Sequence, residues 1–449
     1  MTPGSRTGSR TVSLRSPTQA ASALNRRADV RLVAALATER GECVRIVGGA
    51  VRDAFLGRSG GDLDLALAAT RALPFAEELA RRTGARAVVV GAEGRRIIRL
   101  PTVHGEIEIW ESEGDDEDRD RRDFTVNAIS FELGSGLFAA PPTAFADLAR
   151  GRLALPRPGV LEEDPVRVMR AARFEIALPG FRLAASAVPE ARRAARLLPR
   201  VAAERCLAEL SKILARRGGE SARALARLET WGGLAALMPG STVVERRRGI
   251  RNVSRAKQGT FAPEVSRALL VRPLGEARAL ELLTGWKVSR QELRLATRIL
   301  RMPAFHRGAV TPDAVVAWVR ESAPFVRESL QALRSLGDAS GQRLADAVSR
   351  IVARPARLAR VLTPVRPLSP DEVKELLNLA PGPELGRALE ALDRVVAAGR
   401  LRGRAAAVRF LQSRQGGQVP LIPSGAGATV SRPHRRIEGR VRISGHGSD

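Results

Sequence analysis

The chain has 449 residues, with 74 Lys plus Arg against 48 Asp plus Glu and a formal net charge of +26. That length supplies several domains with cores of their own, and the charge predicts a polyanionic partner, nucleic acid first. No apolar run approaches the ~20 residues of a membrane helix. The two cysteines, Cys43 and Cys206, and the four histidines, His104, His306, His434 and His446, form no metal or redox spacing. Both cysteines read as small core residues of a reducing compartment. The N-terminus has no apolar signal core, which predicts a soluble cytoplasmic protein. Small, polar and basic composition to about residue 22 predicts a disordered tail within residues 1–28. A helical pattern runs from Asp29 to Arg40. Val44, Ile46 and Val47 then read as a strand that ends in the Gly48-Gly49 turn, and Ala50 to Leu56 as a short helix closed by Gly57. Residues 62–67 alternate polar and apolar. Phe75 to Thr83 reads as a helix, and residues 87–90, 96–100, 106–110 and 129–133 as strands. Strand-like alternation stops near Leu161. Helical patterns cover residues 164–174, 188–198, 203–215 and 220–237; residues 240–265 are basic and poorly patterned, and helices resume to Leu411. The Gly/Ser/Pro/Arg-rich stretch 413–449 predicts a disordered tail. The predicted fold is α+β: a mixed-sheet domain over 29–152, then all-α segments over 153–240 and 241–412.

Chemistry concentrates at the first glycine turn. Free N–H groups at the start of the helix after Gly48 and Gly49 suit phosphate, and Arg52 in its first turn suits two phosphate oxygens. Asp62 and Asp64, two apart on a strand, point to one face, and paired carboxylates of this kind hold magnesium beside nucleotide phosphates. Glu106 and Glu108 share a strand face and offer a third carboxylate, with the register open between them. In the run Arg121-Arg122-Asp123-Phe124-Thr125-Val126-Asn127, the arginines suit triphosphate charge, with Asp123 holding one of them, and Asn127 suits a ribose or a backbone turn. Further on, Asp164 reads as an N-cap with Pro165 at N1. Arg167, Arg170 and Arg173 follow every three residues along one helix side.

The segment Val47 to Ala66 resembles the first signature of the tRNA nucleotidyltransferase and bacterial poly(A) polymerase family. Residues 118–128 resemble its Arg-Arg-Asp-Phe-Thr-x-Asn-Ala signature, with Arg119 where leucine is usual. Residues 163–174 resemble its Glu-Asp-x-x-Arg signature. Glu204-Arg205 with Glu209-Leu210 and Lys212, and Pro381 to Leu392, are weaker matches in the expected order. The resemblance implies a nucleotidyltransferase head followed by helical neck, body and tail. It implies addition of C or A, or both, from CTP and ATP to the 3′ end of tRNA, with magnesium and release of pyrophosphate. Asp62, Asp64 and Glu108 would be catalytic, Glu108 being the better match to the family's Ile-Glu-Val segment. Gly48, Gly49, Arg52 and Arg121 would bind the triphosphate. Asp164 and Arg167 would read the base, and Arg170 and Arg173 would meet phosphate or brace the site. The partner would be the acceptor arm of tRNA, with no membrane and no stable protein partner. Ala140 and Ala144 replace the Asp and Gly of the family's flexible Asp-Pro-x-Gly-Gly element, while Asp147-Leu148 remain. His306 stands alone where many relatives carry a histidine–aspartate phosphohydrolase domain. Poly(A) addition, CC-only or A-only addition, and a non-catalytic RNA-binding descendant remain alternative readings of the same signatures.

Overall fold

The computed structural model describes residues 12–58, 61–91, 96–103, 105–112, 114, 119–255, 261–302 and 310–413. The expectations for the extreme tails, the four histidines His104, His306, His434 and His446, and Asp118 lie outside the described residues. The chain divides into two compact units, parted between Leu358 and Ala359.

In the first unit, seven strands form one sheet among the described residues: β1 Arg45–Val47, β2 Leu63–Ala68, β3 Val88–Val90, β4 Ile97–Thr102, β5 Gly105–Ser112, β6 Ser130–Glu132 and β7 Phe138–Ala139. Their order is β3-β4-β5-β2-β1-β6-β7. β2 and β5 run parallel and every other pair is antiparallel. The alternation along β2 and β5 explains the packing: Leu63, Leu65, Ile107 and Ile109 are buried, while Asp64 and Glu108 between them are half-buried on the other face. The helix Ala69–Thr83 closes the apolar face with Phe75, Ala76 and Leu79. It begins six residues earlier than its apolar pattern suggests and contains Pro74 in its second turn.

The helical part begins with Val166–Ala177 and continues through Val188–Ala195, Ala203–Leu214 and Gly218–Trp231. Met169, Leu210, Ile213, Leu225 and Leu228 are all buried. Arg152–Leu153 and Arg182–Leu183 pair in parallel, a short ladder too brief to leave a periodic signal.

Three expectations differ from the structure. Pro17–Asn25 is a helix rather than disordered chain, because Ser16 and Gln19 form a reciprocal capping box and Ala20 and Leu24 are buried. The Arg15 N–H donates to the Phe55 carbonyl at 2.8 Å, which ties this segment to the helix after the glycine turn. Val243–Ser254 is a helix where the basic composition hid one; Thr242 and Glu245 cap it, and buried Arg246 pairs with Glu229 at 2.8 Å. Cys43 is exposed rather than in the core, while Cys206 is buried.

The second unit has its own small core of Leu368, Val373, Leu377, Leu392, Leu401, Ala407 and Leu411. Arg366 grips Asp393 with two hydrogen bonds of 2.6 and 2.9 Å. Among the described residues, no helix is long and apolar enough to cross a membrane.

Candidate active site

The sheet register distinguishes the two glutamates of β5. Asp64 stands opposite Glu108 across the parallel β2–β5 pair, and opposite Val47 on its other side. Glu106 falls two residues before that pairing. Burial and then the charge of Asp64 push the Glu108 carboxyl above its ordinary value. Arg99, its partner on β4, offsets this with an ion pair of 2.9 Å. Asp62 lies just before β2, exposed, and its charge adds to the rise at Glu108.

Gly48 shapes the space in front of these carboxylates. Its φ of +75° and ψ of −136° form a backbone state that side chains rarely adopt. A Cβ there would stand 2.8 Å from Asp64 Oδ2. Arg122 Nη1 is 3.6 Å from the same point, and the Arg122 guanidinium lies 5.6 Å from the centre of the Trp110 ring on β5. Arg122 thus stands beside the carboxylates. Arg121 is exposed on the same loop. The donor set fits magnesium: oxygen ligands on one face, a negative potential that raises Glu108, and open space kept by Gly48. Among the described residues no three metal-binding side chains cluster.

Arg52 of the first signature and Asp123 and Asn127 of the second form a buried polar brace. Arg52 is 6% exposed. Its Nε donates to Asp53 at 2.9 Å and its Nη1 to Asn127 Oδ1 at 2.6 Å, and it lies 5.2 Å from the Phe174 ring centre. Burial pulls its pKa down, with Asp53 opposing. Arg52 thus binds Asn127 beneath the Phe174 ring, and its Nη2 lies 3.6 Å from where a Cβ on Gly49 would stand. Asn127 in turn is not open to a ribose: its Nδ2 donates to Asp123 Oδ1 at 2.8 Å. Asp123 Oδ2 accepts from Arg170 Nε at 2.8 Å. Burial opposes the Asp123 charge, but Arg170 and Asn127 outweigh it and hold the carboxyl below its ordinary value.

The brace continues into the neck. Arg170 is also 3.9 Å from Glu209, and Arg173 Nε donates to Glu209 Oε2 at 2.7 Å. Both arginines face the Phe174 ring, at 5.6 and 4.5 Å. Arg170 and Arg173 thus both take part in the brace. Their partner Glu209 comes from the weakest of the sequence matches.

Asp164 and Arg167 lie together, Oδ2 to Nε 3.7 Å. The helix starts at Val166, and the Asp164 side chain does not cap it. Its two oxygens instead accept from Arg205 Nη2 at 3.1 and 2.9 Å. Arg167 donates to the carbonyls of Val160 and Arg121, so it joins the signature loop to the neck helix. In the segment with Ala140 and Ala144, Asp147 is fully buried and accepts from Thr125, Thr143 and Arg152. Ala144 is buried at the start of the helix Ala144–Ala149.

Residues 44–154 match the model of the Poly A polymerase head domain. The chain is 28% identical to a CC-adding tRNA nucleotidyltransferase of Geobacter sulfurreducens, over 86% of this chain and 95% of that protein. It is 31% identical to a CCA-adding enzyme of Geobacillus thermodenitrificans, over 61% of this chain and 68% of that one. Other matching relatives are spanned over 24 to 65% of their length. Among solved structures, the Thermotoga maritima CCA-adding enzyme complexed with tRNA superposes with a TM-score of 0.66 at 18% identity, covering 89% of this chain and 98% of that one. At that identity the match is one of fold.

Proposed function

The chain belongs to the tRNA nucleotidyltransferase and poly(A) polymerase family, and from that premise we propose that it adds C, A or both to the 3′ end of tRNA without a nucleic-acid template. CTP and ATP are the donors and pyrophosphate the product. The observation that carries this reading is the Asp64–Glu108 pair in register across β2 and β5, with Gly48 holding open the space before it.

The terminal hydroxyl of the RNA attacks the α-phosphorus of the nucleotide. A 3′-oxygen–phosphorus bond forms and the bond to pyrophosphate breaks. Asp62 and Asp64 would hold magnesium, which supplies charge neutralisation at the reacting phosphate. Glu108, its proton affinity raised by burial, orients the attacking hydroxyl. Arg121 and Arg122 neutralise the triphosphate beside the Gly48-Gly49 turn. Arg52, beside the same turn, also fixes Asn127 and hence Asp123.

Asp164 accepts from the amino group of cytosine or adenine, and Arg167 donates to the adjoining ring acceptor. Uracil and guanine present the opposite pattern to that pair. The tRNA is held chiefly through its phosphates. A cleft of about 1250 Å³ in the first unit, lined by Arg248, Arg251, Arg255 and Arg334, supports that reading.

The test is nucleotide addition by Asp62→Ala and Asp64→Ala. Each should abolish incorporation of labelled CMP and AMP while tRNA binding persists. Near-normal turnover of either variant with magnesium would remove the metal-site assignment.

A further inference from the structure

We infer that Arg205 is a specificity-determining residue that sets the orientation of the Asp164 carboxylate toward the incoming base. The inference rests on the base-reading role of Asp164 and Arg167 proposed above. Asp164 stands at a turn between the helices Val160–Glu163 and Val166–Ala177, and its side chain caps neither of them. Without a cap, a carboxylate rotates freely unless something holds it. Arg167 holds it weakly, at 3.7 Å, because two of its nitrogens are committed to the carbonyls of Val160 and Arg121. Arg205 holds it closely: Nη2 reaches both oxygens, at 2.9 and 3.1 Å.

Arg205 is available for this because its own neighbour is engaged elsewhere. Glu204 pairs with Lys287 at 2.7 Å. Arg205 projects from the first turn of the helix Ala203–Leu214, and more than half of its side chain is exposed. The contact is therefore not a fold-holding ion pair, since exposed pairs add little to stability. Its consequence is geometric. Arg205 takes one edge of the carboxylate and leaves the remaining lone pairs, beside Arg167, as the acceptor for an amino group. Cytosine and adenine supply that amino group; the O4 of uracil and the O6 of guanine do not.

Loss of Arg205 should leave the reacting groups intact and blur the choice of base. The experiment measures single-nucleotide addition to tRNA lacking its 3′ end, with each of the four triphosphates, for the whole chain. Arg205→Ala should raise KM for CTP about tenfold with kcat little changed, and should raise the UTP-to-CTP ratio of kcat/KM by a similar factor, within the 1–3 kcal/mol of a paired base contact. Arg205→Lys should recover most of both. In an Asp164→Ala background, Arg205→Ala should leave the ratio where Asp164→Ala put it. A uniform loss with all four nucleotides, unrescued by lysine, would mean that Arg205 only braces its helix and would overturn the inference. If Asp164→Ala shifts the ratio and Arg205→Ala does not, this inference alone falls. If Asp164→Ala itself leaves the ratio unchanged, the base-reading assignment falls and takes the inference with it.

Discussion

Replacing Gly48 with alanine tests the geometry of the site through one methyl group. Two costs follow from the structure. The first is backbone: at φ +75° and ψ −136°, a side chain adds strain of roughly 1–3 kcal/mol. The second is local: the new Cβ would lie 2.8 Å from Asp64 Oδ2, about 0.5 Å inside ordinary contact. Asp64 must then turn away, and β2 cannot follow because Asp64 is paired on both sides, to Val47 and to Glu108. A displacement near 1 Å in a reacting constellation costs about 10²-fold in rate. Gly48→Ala should therefore unfold in urea at a lower midpoint and add CMP to tRNA about 10²-fold more slowly, with the loss in kcat rather than in KM for tRNA. A variant that is destabilised as stated yet retains turnover within twofold of the parent would refute the placement of Asp64 at the reacting phosphate.

Other outcomes follow from the brace and the body. Arg170→Ala removes the main partner of buried Asp123 and should destabilise the chain by about 1–3 kcal/mol, below the full value of a buried pair because Arg170 is one-third exposed. Asp123 is depressed in the folded state, so its contribution is present above the unfolded value of about 3.9 and fades as pH falls through the folded one. The acid unfolding midpoint of Arg170→Ala, followed by tryptophan fluorescence, should accordingly move to higher pH; an unmoved midpoint would contradict the pairing. Gly249→Ala should destabilise although alanine favours helices by up to about 1 kcal/mol, because its Cβ would meet the Leu270 carbonyl oxygen at 2.1 Å. A gain in stability would show that the crossing of Val243–Ser254 with Pro263–Val271 is looser than described. Affinity for tRNA should fall steeply with salt, and Arg251→Glu should weaken binding and flatten the slope; a flat dependence in filter binding would remove the electrostatic account.

What was legible in the sequence is what local spacing decides. The turn at Gly48-Gly49, the same-face carboxylates Asp62 and Asp64, and the helix from Val166 all follow from short-range pattern. Glu106 and Glu108 could not be told apart, because strand alternation gives both one face and only the pairing with β2 puts Glu108 opposite Asp64. The bond of Arg52 to Asn127, 75 residues away, and its contact with Phe174 carry no local signal. Asp164 reads as a cap until Arg205, 41 residues on, claims its carboxylate. Two of the missed helices did carry readable signals, Ser16-Pro17 with Gln19 and Thr242 with Glu245, both hidden under basic composition.

The most direct measurement is incubation of the purified chain with tRNA lacking its 3′ end, with magnesium and with CTP and ATP singly and together, followed by sequencing of the RNA ends. The account predicts a short, defined addition of C, of A, or of C followed by A, absent in Asp64→Ala. Open-ended A tails on any RNA, or bound tRNA with no nucleotide added under any mixture, would contradict it.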